Sequence, residues 1–190
     1  MNKWKRNWKE MNAEPKGSIL LIGFMGSGKS TMGMKLSYRL RRPFLDTDKW
    51  IEREQGMSVS EIFAGQGEEA FRMMETQTLR ELKKKGIKQV ISTGGGLPMR
   101  EVNRPLLKEL GTVVWLRIRP ETVYGRLKGD TTRPLLRRPD PEAEIRRLIL
   151  LRAPLYEDAA DVIVDVDGKA FEEILEEIER KVEAYENSGD

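Results

Sequence analysis

Residues 19–33, ILLIGFMGSGKSTMG, limit what this chain can fold into more than any other stretch. An apolar run of strand length stops at glycines, a lysine and two hydroxyls, and a helical pattern follows. Gly23-x4-Gly28-Lys29-Ser30 matches the Walker A pattern between a strand and a helix, the context that pattern requires. The glycines let backbone N–H groups curl round phosphate oxygens, and the helix N-terminus adds positive potential. Gly26, Ser27, Gly28, Lys29, Ser30 and Thr31 are therefore the candidate nucleotide cradle. Lys29 would neutralise the β- and γ-phosphates, and Ser30 would ligate Mg²⁺.

The rest of the chain alternates apolar runs with helical patterns, the signature of an α/β domain built on a mainly parallel sheet. Expected strands are SILLIG (18–23), RPFLD (42–46), KQVIST (88–93), GTVVWLRI (111–118) and ADVIVDV (160–166). A helix is expected over 28–41, and a long helical region over 48–85, broken near Gly56 and residues 65–67. The closing stretch AFEEILEEIERKVEAY reads as an amphipathic helix, with Phe171, Ile174, Leu175, Ile178 and Val182 assigned to the core by their spacing. Residues 129–141, GDTTRPLLRRPDP, interrupt this regularity with a proline- and arginine-rich loop, the kind of segment that serves as a lid.

The chain has no cysteine and no histidine, which removes disulfides, thiol chemistry, histidine bases and the usual zinc sites. Acid–base and metal work falls to carboxylates, lysines and hydroxyls. A cysteine-free chain also fits a reducing cytoplasm. The net charge of +3 is uneven: residues 1–16 hold five of the 34 basic and two of the 31 acidic residues, so the remainder carries 29 of each. A general nucleic-acid surface is not indicated. The basic arm, with Trp4 and Trp8 a helical turn apart, is expected to be a disordered extension, and Met11 is a conceivable alternative start. No segment has the roughly 20 apolar residues that cross a bilayer. A guanine-reading Asn-Lys-x-Asp and an apolar strand ending in Asp-Glu are both missing, which argues against a regulatory GTPase and a remodelling ATPase.

Three further constellations bear on where a phosphoryl group would go. In FLDTD, Asp46 and Asp48 follow the second strand. Residues two apart in extended chain share a face, so both carboxylates are expected to look into the crevice at the strand's carboxyl end. One would organise Mg²⁺ through water, and the other would accept or orient a hydroxyl proton. Asp48 also suits a helix N-cap worth about 1 kcal/mol, which is compatible with that role. In STGGG, the run of Gly94, Gly95 and Gly96 forfeits conformational entropy, a cost accepted where a ligand must approach bare backbone. Arg72, Arg133 and Arg152 are the candidate anion-binding side chains.

From about Gly17 onward the sequence resembles the shikimate kinases. GFMGSGKSTMG, FLDTD, GMSVSEIFAGQGEEAFRMMET, STGGG, VNRPLL, TTRPLL and RAPLY occur in family order and spacing. The resemblance implies a P-loop kinase fold: a five-stranded parallel sheet flanked by helices, with a substrate-binding helical region (about 47–75) and a lid (about 127–140) within one domain, 17–190. It implies transfer of the ATP γ-phosphoryl to the 3-hydroxyl of shikimate, with ATP and Mg²⁺ required, in a cytoplasmic monomer that binds neither nucleic acid nor membrane. Carried over by motif, Lys29 and Ser30 correspond to the phosphate and metal residues, Asp46 to the outer-sphere metal aspartate, and Asp48 to the residue holding the acceptor hydroxyl. Arg72 and Arg152 correspond to the carboxylate grip, assisted by Gly94, Gly95 and Gly96 at the hydroxyls. Arg133 resembles the lid arginine on the transferring phosphate, and Arg126 the residue stacked on adenine. Phe63, Phe71, Pro134 and Leu135 resemble the apolar wall. Met73, Met74 and Leu97 depart from the commoner pattern without touching a charged role. A gluconate or nucleotide kinase shares the loop and lid, but STGGG with Arg72 and Arg152 points elsewhere. A nucleotide-binding regulator built on an inactive kinase would lose the lysine, the aspartates or the lid arginine, and all of these are present.

Overall fold

A computed structural model describes residues 17–129 and 134–188 of the protein. The extension over 1–16, and Arg133 within the expected lid, lie outside the described residues. Five strands form the sheet: β1 (Ser18–Ile22), β2 (Phe44–Asp46), β3 (Val90–Ser92), β4 (Gly111–Arg117) and β5 (Val162–Asp165). All pair in parallel, in the order β2-β3-β1-β4-β5. A parallel sheet is covered on both faces, so its strands read as continuous apolar runs. Accordingly Ile19, Leu20, Leu21 and Ile22 of β1 are all buried, with Leu20 paired to Ile91 of β3 and Val113 of β4.

Seven α-helices connect and close the described chain: α1 (Lys29–Leu40), α2 (Thr47–Gln55), α3 (Val59–Lys85), α4 (Asn103–Leu110), α5 (Pro120–Leu127), α6 (Pro141–Ala159) and α7 (Phe171–Ser188). Short 3-10 turns add Leu97–Met99 and Pro134–Arg137. The helices α2 and α3 carry a small core of their own, Ile51, Ile62 and Phe71, separate from the main core around the sheet. Ser58 caps α3 through a capping box, accepting from the Glu61 amide while Glu61 accepts from the Ser58 amide.

The long helical region breaks where expected, at Gly56, the C-cap of α2, and at Gly67, whose φ 84°, ψ 166° is not helical; Gly65 stays helical. One core assignment is corrected. On α7, Ile174, Leu175, Ile178 and Val182 are buried as expected, but Phe171 is 51% exposed, with the Lys35 ammonium 5.5 Å from its ring centre. As the first residue of the helix, Phe171 lies beyond the end of the surface its own stripe packs against. Within the expected loop, Pro134–Arg137 form a 3-10 helix.

Strand order reverses at β1, which has β3 on one side and β4 on the other. In open α/β sheets a ligand crevice forms at the carboxyl ends of the strands beside such a reversal. The segments after β1, β2 and β3 are the phosphate-loop candidate, FLDTD and the glycine run, so the topology gathers them at one edge.

Candidate active site

The turn after β1 forms because Gly28 takes φ 92°, ψ 15°, a left-handed conformation that a side chain resists, and so caps α1. The N-terminus of α1 then points into the crevice. Lys29 Nζ donates to the Phe24 carbonyl at 3.0 Å, across the base of the loop. Ser27 Oγ is buried and has no hydrogen-bond partner. A buried hydroxyl with nothing to bond is what a phosphate cradle presents.

Ser30 Oγ donates to Asp46 Oδ2 at 2.7 Å and lies 3.3 Å from Ser92 Oγ. This trio joins the ends of β2 and β3 to the start of α1. Its donors are hard oxygens, and Mg²⁺ is held by one or two such groups plus substrate phosphates rather than by a cage of carboxylates. These hard oxygens therefore fit Mg²⁺.

The shared-face argument for Asp46 and Asp48 is corrected. Strand β2 ends at Asp46 and α2 starts at Thr47, so Asp48 sits in the first helical turn. Asp46, not Asp48, is the N-cap, accepting from the amides of Asp48 (3.1 Å) and Lys49 (3.3 Å). Asp48 reaches the crevice from the helix instead. Burial, then the charge of Asp46, pushes its pKa up to about 6, against the pull of Lys29 and Arg72.

The glycine run has a clear steric cause. A Cβ on Gly94 would lie 2.5 Å from Asp48 Oδ1 and 2.8 Å from Glu75 Oε1, and one on Gly96 would collide with the Arg72 guanidinium. Bare backbone is thus approached by protein side chains, of which Asp48 lines the cleft. The Gly94 amide, expected to meet a substrate hydroxyl, here donates to Thr47 Oγ1 at 3.0 Å.

Arg72 projects from α3. It gives Nη1 to Glu75 Oε2 (2.8 Å), and both Nε and Nη2 to Glu68 Oε1 (3.2 and 2.9 Å). Its guanidinium also lies 5.7 and 6.0 Å from the ring centres of Phe71 and Phe63, the expected apolar wall. Arg152, on α6, lies 5.5 Å from the Phe24 ring centre. Tyr156, one turn along, donates to the Gly95 carbonyl at 2.6 Å and stacks on Trp115. Burial pushes the Tyr156 phenol up to about 12, opposed by the charges of both Arg152 and Arg72. Both expected grip arginines therefore act on one phenol beside Gly95. Arg126 gives Nη1 to the Gly26 carbonyl at 2.8 Å, which ties α5 to the phosphate loop. Leu135 packs against the main core.

A cleft of about 310 Å³ is lined by Gly26, Lys29, Ser30, Asp46, Asp48 and Gly95. Sequence reasoning missed Glu75, Thr47, Ser92 and Tyr156. The usable signal was the three-residue spacing from Arg72 to Glu75, which puts an acid beside a candidate grip arginine on one helix face.

A phosphate cradle sharing one cleft with half-buried carboxylates, with the Arg72 and Arg152 guanidiniums nearby, is the arrangement of a P-loop kinase that acts on a small molecule. Known proteins narrow that class. Residues 25–183 match the family model described as shikimate kinase. Shikimate kinase from Symbiobacterium thermophilum is 42% identical over 168 residues, 87% of this chain and 96% of that protein. Shikimate kinase from Acinetobacter baumannii, solved in complex with shikimate, superimposes with a TM-score of 0.80 at 38% identity, covering 87% of this chain and 92% of the other. The Aquifex aeolicus shikimate kinase structure gives 0.76 at 41% identity, covering 88% and 96%. The chain belongs to the shikimate kinase family.

Proposed function

We propose that this protein transfers the γ-phosphoryl group of ATP to the 3-hydroxyl of shikimate, giving shikimate 3-phosphate and ADP on the route to chorismate and the aromatic amino acids. The observation that carries this is the one cleft onto which Lys29, Ser30, Asp46, Asp48 and Gly95 all open. Phosphoryl transfer needs in-line positioning and charge neutralisation more than covalent help.

Gly26, Ser27, Gly28, Ser30, Thr31 and Lys29 hold the triphosphate, with Lys29 screening its charge. Mg²⁺, held by Ser30 and through water by Asp46, supplies further charge neutralisation when bound. Arg126 lies against the adenine side of the loop. Arg72 and Arg152 grip the shikimate carboxylate with charge-assisted hydrogen bonds. Asp48 and the backbone of Gly94, Gly95 and Gly96 orient the hydroxyls. The bond from the γ-phosphorus to its bridging oxygen breaks as a bond to the 3-hydroxyl oxygen forms. Asp48 holds the hydroxyl proton and receives it late, since even at about 6 its pKa lies far below that of an alcohol. Arg133, within a lid over about 127–140, meets the charge on the transferring group. The substrate-binding region spans about 47–75 in the domain 17–190, with residues 1–16 a dispensable extension. The working form is a cytoplasmic monomer without nucleic-acid or membrane partners; the even charge balance outside residues 1–16 supports the absence of a nucleic-acid surface.

The test is ADP release from ATP and Mg²⁺ with shikimate, with gluconate and with no acceptor, and the product identified by mass. Turnover with shikimate alone is the expected result. Equal or greater turnover with gluconate, or with water only, overturns the assignment.

A further inference from the structure

Helices α2 and α3 enclose a groove of about 380 Å³ that shares no lining residue with the cleft. Its apolar lining comes from Trp50 on α2 and from Ala70, Met73 and Met74 on α3, and Met73 is 55% exposed. The charged side chains that line it, Glu54 and Glu81, are both acidic. One turn beyond Glu81, the Lys85 ammonium lies 4.2 Å from the Trp50 ring centre, and the Arg53 guanidinium lies 4.7 Å from it. An apolar trough between two helices, open to solvent and edged with charge, suits the apolar face of an amphipathic helix.

The described chain begins beside the end of this groove. Ser18 Oγ donates to the carbonyl of Ile87 at 3.2 Å, and Ile87 is an exposed residue two positions past the end of α3 at Lys85. At 1.5 Å per residue, Glu81 lies about 6 Å and Met74 about 17 Å back from Lys85 along α3. The stretch from Trp8 to Gly17 spans about 14 Å as a helix and about 30 Å extended, so Trp8 has the reach to enter the groove. In sequence, Trp4, Asn7, Trp8 and Met11 recur at the spacing of one helix face. The charges of this arm are also segregated. Lys3, Lys5, Arg6 and Lys9 fall in its first nine residues, whereas Glu10 and Glu14 outnumber Lys16 over residues 10–16. The protein presents the opposite order: Lys83, Lys84 and Lys85 end α3 next to Ile87, and the acids Glu81 and Glu54 follow in the groove.

We propose that residues 1–16 dock intramolecularly in the groove between α2 and α3. Trp8 and Trp4 enter beside Trp50, Met73 and Met74, where indole rings gain apolar burial and contact with thioether sulfur. Lys5 and Lys9 face Glu81 and Glu54, and Glu10 and Glu14 face the lysines at the end of α3. The arm covers exposed apolar surface and ties α2 to α3. It takes no part in phosphoryl transfer, so its docking is independent of the acceptor assigned above and turnover does not depend on it.

The full chain has no cysteine, so an introduced pair reports one contact without interference. Asn7→Cys is combined with Gln77→Cys in the groove or, as control, with Tyr38→Cys on α1. Tyr38 is 78% exposed and lies four residues before Arg42, whose Nη1 donates to the Gly17 carbonyl at 2.6 Å, so it too is close to where the arm emerges. Each pair is equilibrated in glutathione buffer, and the intramolecular disulfide gives the effective concentration of the two thiols. Docking predicts a value about tenfold or more higher for the Gln77 pair than for the Tyr38 pair, falling to the control level when Trp4→Ala and Trp8→Ala are added. Equal values for the two pairs overturn the proposal, as does an advantage that survives loss of both tryptophans. A disulfide that forms mainly between two chains also overturns it, by assigning the groove to the arm of a second copy. A measurement without cysteines stands beside this one: the fluorescence lost on Trp4→Phe with Trp8→Phe isolates the arm indoles. Acrylamide is expected to quench that fraction several-fold less steeply than a free tryptophan derivative, and quenching equal to the free derivative refutes docking.

Discussion

Adding one methyl group at Gly94 tests the packing of the whole acceptor half of the site. The new Cβ would stand 2.5 Å from Asp48 Oδ1 and 2.8 Å from Glu75 Oε1, where ordinary contact begins at 3.4 Å. Both carboxylates must retreat by roughly half to one ångström, on the steep side of the contact potential. Glu75 has little room, being fully buried and tied to Arg72, so Asp48 takes most of the displacement. A misplacement of about 1 Å at a reacting group costs on the order of 100-fold in rate. Gly94→Ala is therefore expected to lower kcat by about 30- to 100-fold while ATP still binds. Overpacking costs about 1–3 kcal/mol, a drop in Tm of some 3–10 °C in a domain of this size. Gly65→Ala is the control for the substitution itself: it lies in α3 with nothing within 4 Å of the added carbon, and should not lower Tm. The assay is coupled ADP release with shikimate varied, beside a thermal melt. A Gly94→Ala protein that turns over within threefold of the parent and melts at the same temperature would refute the crowding argument.

Asp48→Asn keeps shape and removes charge: transfer is expected to fall at least about 100-fold with ATP binding retained, and parental turnover would take Asp48 out of its role. Its folded pKa of about 6 lies above the ordinary aspartate value of 3.8, so Asp48 favours the fold most below about 4 and that contribution is lost as pH rises through 6; in melts of the metal-free protein, Asp48→Asn should lack this fall and be the more stable at pH 7. Arg152→Lys keeps charge but loses the guanidinium fork, so KM for shikimate should rise about 10-fold or more with kcat less affected, read from initial rates. Arg133→Ala should lower kcat by about 100-fold with shikimate affinity mostly kept, which single-turnover kinetics and shikimate titration would separate.

The sheet was legible because strands buried on both faces become uninterrupted apolar runs, and α7 because its buried residues repeat at helical spacing. The phosphate loop was legible for a different reason: its geometry is local, and glycine spacing encodes it directly. The acceptor half was less so. Asp48 was assigned correctly to the crevice on a wrong premise, since extended spacing was assumed where a helix begins one residue earlier. Capping by Asp46 settles that boundary, and either aspartate could have capped a helix in sequence. Glu75 stood three residues from Arg72 among the many acids and bases of α3, but only the fold shows that its side chain turns inward under Gly94. Tyr156 likewise gains its partner from a carbonyl sixty-one residues away. Phe171 failed because periodicity continues to the first residue of α7 while the covering surface does not.

The arrangement round Arg72 explains how a grip can be both rigid and available. Burying ions is costly unless they are paired, so a guanidinium waiting for a substrate carboxylate needs anions of its own. Arg72 has two, and they differ in kind. Glu75, with no exposed side-chain surface, holds Nη1 and is tied into the packing under Gly94. Glu68, 68% exposed, takes Nε and Nη2. An exposed pair is worth about 0–1 kcal/mol, since water solvates both charges when they part. An arriving carboxylate therefore trades with Glu68 at small cost while the buried partner keeps the guanidinium plane in place. The same division applies to polar satisfaction: of the four described side-chain atoms that are buried without a partner, Ser27 Oγ, Asp48 Oδ1 and Glu75 Oε1 all belong to the cleft or its wall. Leaving such atoms unsatisfied costs about 1–3 kcal/mol each. The fold concentrates that cost where a bound phosphate and a substrate hydroxyl can relieve it, and keeps it out of the core that holds the sheet together.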